Sequence, residues 1–179
     1  DKVILYIGRF EKEKNLPFLL QAFANVKKKC GKAKLVLVGS GKEKKNLEDI
    51  VWEMKLEDVV FLKPLAPESV PLILNCANVF AITSQYESCP LVAQEALACG
   101  IPVVSVDVGR VKEMINSSCA GAIVERNPDS MAEALVAYLE KKQGQAKTAC
   151  RKSVSAISFD KTIRETLKVY EKALLDFSG

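Results

Sequence analysis

Two carboxylates, Glu87 and Glu95, stand eight residues apart in ITSQYESCPLVAQEALACGIPVVSV, residues 82–106. Pro90 suits the first turn of a helix that stops near Gly100, with Ser88 or Cys89 available to cap it. A helix start offers free N–H groups and the positive end of a dipole, a setting that favours phosphate. Glu95 then lies about 7 Å along the axis, on the same face as Leu91. Glu87 precedes the helix, in the loop. An anion at the helix start would therefore have a carboxylate on each side. Carboxylates do not bind phosphate, but they accept hydrogen bonds from hydroxyls. A sugar joined through a diphosphate to a ribose has that layout. The plainer alternative makes Glu87 loop charge and Glu95 a surface or hydrogen-bonded helix residue. A glycosidase-type acid and nucleophile fits less well, because such pairs flank an open cleft.

Cations stand upstream. GRFEKEK places Arg9 and Lys14 after a strand, where Arg can grip an anion bidentately and Lys as a point charge. Lys12 is a spare, and spacing alone does not choose between the two lysines. GSGKEKK, starting at Gly39, imitates two phosphate motifs and satisfies neither. A dinucleotide fingerprint needs glycine where Lys44 stands; a P-loop needs glycine at Val36 and Ser or Thr at Glu43. Gly39, Ser40 and Gly41 are either a strand-to-helix turn or a place of close backbone approach to a ligand. Histidine is absent, which removes a Ser-His-Asp triad and the commonest metal ligand from this chain. No Asp-x-Asp occurs, so a carboxylate-held divalent ion on the phosphates is unsupported, and no cofactor is expected.

These residues need a frame, and alternating strand and helix patterns supply one. VILYIG is a nearly continuous apolar run. Residues 15–29 follow with Leu16, Leu19, Leu20, Phe23 and Val26 on one helical face, Asn15 as N-cap and Pro17 in the first turn. AKLVLVGSG is a second strand. The next helix puts Leu47, Ile50, Val51 and Met54 on one side. DVVFL, ANVFAIT, PVVSV and AGAIV read as four more strands, with a short helix over 67–75. Ala132, Leu135, Val136 and Leu139 mark a helix, a break is expected around Gly144, and a last helix over 160–176 carries Ile163, Leu167, Tyr170 and Leu174. Such alternation with wholly apolar strands predicts an α/β fold: a Rossmann-like, doubly wound parallel sheet of about six strands with helices on both faces. Ligands then bind outside the carboxyl ends of the strands. Gly8 and Arg9, the 39–41 turn, and Thr83 and Ser84 with Glu87 beyond them all fall on that edge.

The chain has 179 residues, 49% hydrophobic and 27% charged, with a net charge of +4. That suits one domain or two small ones. Lysines crowd residues 27–34 and 42–45 without interleaved aromatics, so solvated helix ends are expected rather than a nucleic-acid surface. Attraction to an anionic membrane stays open as a weaker alternative. Cys30, Cys76, Cys89, Cys99, Cys119 and Cys150 form no CxxC pair and read as reduced, mostly buried residues of a cytoplasmic protein. The chain begins with Asp almost inside a strand, so a piece of a longer protein is expected.

VILYIGRFEKEKNLPFLLQAF, AKLVLVGSG, VVFLKPL, ANVFAITSQYESCPLVAQEALACGIPVVSV and AGAIV resemble, in order and spacing, the C-terminal domain of the retaining glycosyltransferases of family 4, whose two-domain architecture is GT-B. The resemblance covers nearly the whole chain and rests chiefly on E-x7-E followed by EALACGIPVV, with Gly-Arg-x4-Lys upstream. It implies a metal-independent hexosyltransferase that moves sugar from a UDP- or GDP-linked donor with retention. It implies that Arg9 and Lys14 grip the diphosphate, which selects Lys14 over Lys12. Glu87 would hold the donor sugar, Glu95 the ribose, and backbone at Ser88, Cys89, Pro90, Leu91 and Val92 the distal phosphate. Gly8, Gly39, Ser40 and Gly41 would line the site, with Lys63 and Pro64 near the base. Residues 1–158 would be the nucleotide-sugar-binding domain and 159–179 a helix crossing back to an N-terminal acceptor domain absent from this chain. The 179 residues alone are expected to bind nucleotide weakly and not to transfer sugar. A cytoplasmic place, at the inner face of the membrane if the intact enzyme associates peripherally, follows. Three positions depart from the family pattern: Asn15 where glycine is common, ESCP in place of EGFG, and Val108-Gly109-Arg110 where Gly-Gly is frequent. An epimerase of the same architecture or a binding-only module are the alternatives.

Overall fold

Six short runs rich in Val, Ile and Leu pair into one sheet. They are β1 (Lys2–Ile7), β2 (Ala33–Val38), β3 (Val59–Leu62), β4 (Val79–Ile82), β5 (Val103–Val106) and β6 (Gly121–Val124). The structure, a computed structural model, describes residues 2–141, 143–157 and 159–177. The strand order is β3-β2-β1-β4-β5-β6, and every pairing is parallel. All residues of β4 and β5 are buried, as expected for central strands covered on both faces. The order reverses between β1 and β4. That reversal opens a crevice at their carboxyl ends, where ligands of such sheets bind. The expected fold class is borne out.

The helices are α1 (Leu16–Lys29), α2 (Lys44–Glu53), α3 (Val70–Asn75), α4 (Leu91–Ala98), α5 (Val111–Met114), α6 (Pro128–Glu140), α7 (Gln143–Val154) and α8 (Phe159–Phe177). A 3-10 turn, Pro67–Ser69, leads into α3. Leu16, Leu19, Leu20, Phe23 and Val26 of α1 are buried, and α1 packs along α6. The Asn127 side chain caps α6 by accepting from the Asp129 and Ser130 amides at 2.7 and 3.4 Å. Asn25 reaches Asp129 at 2.7 Å and Lys29 reaches Glu133 at 3.1 Å, which pins the two helices in register.

Four expectations need correction. The cysteines are not mostly buried: Cys150 is, Cys30, Cys89 and Cys99 are partly so, and Cys76 and Cys119 are exposed. Gly144 does not break the chain; it lies inside α7. The interruption comes earlier, where Lys141 is extended (φ −65, ψ 142). A helical glycine costs about 1 kcal/mol, and burial of Ala146, Cys150 and Val154 at four-residue spacing outweighs it. In α2 only Leu47 is buried, and Met54 is exposed. The stripe of α8 is present, yet Ile163, Leu167, Tyr170 and Leu174 are all exposed. The expected domain boundary at 158 lies outside the described residues. No described helix is long and apolar enough to cross a membrane.

Tyr138 locks α6 to the sheet. Its hydroxyl lies 2.7 Å from the Ser118 carbonyl and 2.5 Å from that of Gly121. Burial pushes its pKa up to about 12, because a phenolate there would face carbonyl oxygens without water. The unfolded chain therefore loses this proton first as pH rises. The stabilisation is complete below pH ~10 and fades as pH climbs toward ~12. We expect Tyr138→Phe to cost about 1 kcal/mol at pH 8, and the gap to the native chain to narrow by pH 11 in denaturant titrations.

Candidate functional site

A cleft of about 390 Å³ sits at the reversal point. Gly8, Arg9 and Lys14 enter it from the exit of β1; Glu87, Cys89, Pro90, Leu91, Val92 and Glu95 enter from the end of β4 and the start of α4. Lys12 is not among its lining residues.

Local structure explains how Lys14 reaches it. Residues Lys12–Lys14 make a 3-10 turn, and Asn15 ends the turn in the left-handed conformation (φ 50, ψ 46) before α1 begins. Asparagine is one of the few side chains that tolerate this conformation. Asn15 occupies the N-cap position but makes no side-chain cap. The Thr83 hydroxyl donates to the Lys14 carbonyl at 2.9 Å, and the Gln85 amide to that of Glu13 at 2.7 Å. The loop after β1 is thereby tied to the end of β4.

The side chains then converge. Lys14 Nζ donates to Glu87 Oε1 at 2.8 Å, and the same oxygen accepts from Ser84 Oγ at 2.8 Å. Both members of the ion pair are shielded, with side-chain exposures of 15% and 17%. Arg9 is different: it stands at the rim, 72% exposed, bonded to Glu13 at 3.1 Å. Beneath it the Tyr6 hydroxyl donates to the Arg9 carbonyl at 2.9 Å. A Cβ on Gly8 would meet that hydroxyl at 2.6 Å, so a larger residue there would have to displace it. Burial, followed by the Glu87 and Glu13 charges, holds the Tyr6 phenol far above its usual range. Tyr6 escaped notice in the sequence, because it sits mid-strand in an apolar run; Ser84 was read only as a strand end on the functional edge, without its bond to Glu87.

The helix start differs from expectation in one respect. Pro90 itself is the N-cap of α4, and no side chain caps the helix. Ser88 is exposed, and the Cys89 sulfur accepts from Gln94 at 3.1 Å. Proline removes one amide, and the Ala93 amide is bonded to the Pro90 carbonyl at 3.0 Å. The amides of Leu91 and Val92 have no acceptor among the described residues. They are the groups an anion would meet. Glu95 lies one turn deeper, exposed.

Two further clefts adjoin. One, of about 370 Å³, is bounded by Gly39, Ser40, Pro64 and Leu65 and shares Gly8 and Arg9. Gly41 does not line it; its Cβ would lie 2.2 Å from the Phe10 carbonyl oxygen. The Phe10 amide bonds the Ser40 carbonyl at 2.8 Å, so this turn is packed against the exit of β1. The other, of about 530 Å³, lies across Lys14 and Glu87, beside Ser88, Asp107 and Gly109. Gly109 (φ +52) brings the loop after β5 against the Glu87 carbonyl, 2.5 Å from where a Cβ would stand. Among the described residues, no three Cys, Asp or Glu converge as metal ligands would.

Comparison with known proteins agrees with this frame. The family described as glycosyl transferases group 1 matches residues 1–154. The uncharacterized glycosyltransferase MJ1607 of Methanocaldococcus jannaschii is 31% identical over 179 residues, covering 97% of this chain and 46% of its own length. The chain thus spans about half of that curated relative. Among solved structures, sucrose-phosphate synthase from Thermosynechococcus elongatus superposes with a TM-score of 0.88 at 26% identity, over 98% of this chain and 46% of the other. A variant of TarM from S. aureus holding UDP gives 0.87 at 20% identity, over 95% of this chain and 35% of that one.

Proposed function

Because the chain belongs to the group 1 glycosyltransferases, we propose that its cleft binds the donor of a retaining, metal-independent hexosyl transfer, a UDP- or GDP-linked sugar. The observation that carries the reading is the alignment along one cleft of a cation, two open helix amides and two carboxylates. Lys14 and the Leu91 and Val92 amides meet the diphosphate, with Arg9 reaching in from the rim. Glu95 accepts from the ribose hydroxyls and Glu87 from those of the sugar. Gly39, Ser40 and Pro64 border the base. When the bond between the sugar's anomeric carbon and the distal phosphate breaks, the diphosphate leaves with the electron pair. Preorganised cations and amides stabilise that charge as it develops and so lower the barrier. The acceptor's hydroxyl oxygen then bonds the anomeric carbon on the same face of the sugar, and its proton passes to the departing phosphate oxygen.

Residues 1–158 form the donor domain in this reading. Residues 159–179, of which α8 is the described part, are the segment that crosses to an acceptor domain outside these 179 residues. The exposed stripe of α8 supports it: Ile163, Leu167 and Tyr170 present a line of large exposed side chains of the kind a partner surface covers. The isolated chain binds nucleotide weakly and transfers no sugar.

Calorimetric titration with UDP, GDP and ADP, free and sugar-linked, tests the reading. UDP or GDP is expected to bind in the millimolar range or tighter. Glu95 is exposed, so Glu95→Ala should fold normally and weaken nucleotide binding about fivefold. Absence of binding by all three nucleotides at millimolar concentration would sink the proposal.

A further inference from the structure

Arg126 lies two residues beyond β6 and takes no part in the chemistry above. One terminal nitrogen of its guanidinium donates to the Thr83 carbonyl at 3.0 Å, the other to the Ser84 carbonyl at 2.9 Å. β5 lies between β6 and β4, so the side chain reaches across the end of β5 to the exit of β4. Thr83 and Ser84 directly follow β4, are 0% and 1% exposed, and have no strand partner. Successive carbonyls of an extended strand point to opposite sides. One planar fork takes both only where the chain has begun to turn. Arg126 thus holds both main-chain oxygens at the point where β4 passes into the loop carrying Glu87.

The centre of the cleft hangs from those two residues. The Thr83 hydroxyl holds the Lys14 carbonyl, and the Ser84 hydroxyl holds the Glu87 oxygen that also receives Lys14 Nζ. The next amide, of Gln85, holds the Glu13 carbonyl. We infer that Arg126 is a positioning residue for the Lys14, Ser84 and Glu87 cluster. It sets the cluster from behind, through main-chain oxygens, without spending its charge on either carboxylate of the cleft. Lysine cannot replace it fully, because an ammonium lacks the two-pronged planar fork. The inference deepens the donor-site reading and rests on it for its consequence in binding.

The test compares Arg126→Gln and Arg126→Lys with the native chain, well below each melting temperature. Arg126→Gln should weaken binding of a UDP- or GDP-linked sugar about fivefold to tenfold and free diphosphate less, since two hydrogen bonds that orient the cluster are lost. Arg126→Lys should fall between. A purely structural role would lower the melting temperature and leave both affinities of the folded protein unchanged; that result overturns the inference. Hydrogen exchange supplies a readout that needs no ligand. The Gln85 amide should exchange faster in Arg126→Gln while the amides of β2 keep their protection. If the native chain binds no nucleotide, the donor reading fails by itself. Exchange at Gln85 then decides the positioning role: unchanged protection refutes it, selective loss upholds it.

Discussion

Lys14→Ala is expected to weaken the binding of a nucleoside diphosphate by roughly tenfold to a hundredfold, since a hydrogen bond to a charged group contributes about 1.5–3 kcal/mol. The loss has two parts. The ammonium no longer meets the phosphates. Glu87 also loses the cation that covers Oε1, and a bare carboxylate then stands beside an incoming anion. The second part can be isolated. In the free protein Lys14 is held by Glu87 at 2.8 Å in a shielded pair, so a diphosphate competes with Glu87 for the ammonium. Glu87→Gln should release Lys14 and tighten free UDP or GDP severalfold, while weakening the sugar-linked form, which loses its hydroxyl acceptor. The double variant should recover part of the affinity that Lys14→Ala loses. Calorimetry on the four proteins with both ligands closes the cycle. Equal weakening of both ligands by Glu87→Gln would contradict separate roles for Glu87 and Lys14.

The frame was legible in the sequence because its signal is local. Runs such as VILYIG and PVVSV announce strands covered on both faces, and the Gly8, Ser40 and Ser84 ends place one functional edge. The stripe at Ile163, Leu167, Tyr170 and Leu174 was legible as a pattern but silent about what it faces; in this chain it faces solvent. α7 was missed because its core residues are small, Ala146 and Cys150 among lysines, and Gly144 reads as a stop. The site was legible where chemistry and spacing coincide, at Glu87, Glu95 and Arg9. The choice of Lys14 over Lys12 was legible only through the family resemblance, not through spacing. It depends on a 3-10 turn closed by a left-handed Asn15, which periodicity does not register. Contacts between distant segments were least legible of all. Arg126 acts 42 and 43 residues away from its partners, and nothing in ERNPDS marks it.

The 39–41 turn, which spacing left divided between a simple turn and a ligand contact, shows how the fold constrains the site and leads to a stability prediction. Gly39 borders a cleft, yet its first obligation is to the backbone. A Cβ there would stand 1.9 Å from the Gly8 carbonyl oxygen, at φ +150. Real Cβ atoms do not come within 3.0 Å, so the two strand ends would have to part by more than 1 Å. They are not free to do so. The Gly8 amide bonds the Val38 carbonyl and the Gly39 amide the Leu62 carbonyl, each at 3.0 Å, continuing the pairing of β1, β2 and β3. Neither neighbour is a flexible side chain, so the strain has no cheap outlet. Gly39→Ala should destabilise the protein by about 3 kcal/mol or more. For a chain of this size that lowers the melting temperature by roughly 6–12 °C. Gly31→Ala is the control: nothing lies within 4 Å of its Cβ position, and a change within about 0.5 kcal/mol is expected. Below its melting point Gly39→Ala should also bind nucleotide more weakly, because Gly8 and Arg9 move with the strand end. A Gly39→Ala protein that melts with the native chain would show that β1 and β2 do not approach as closely as the turn demands.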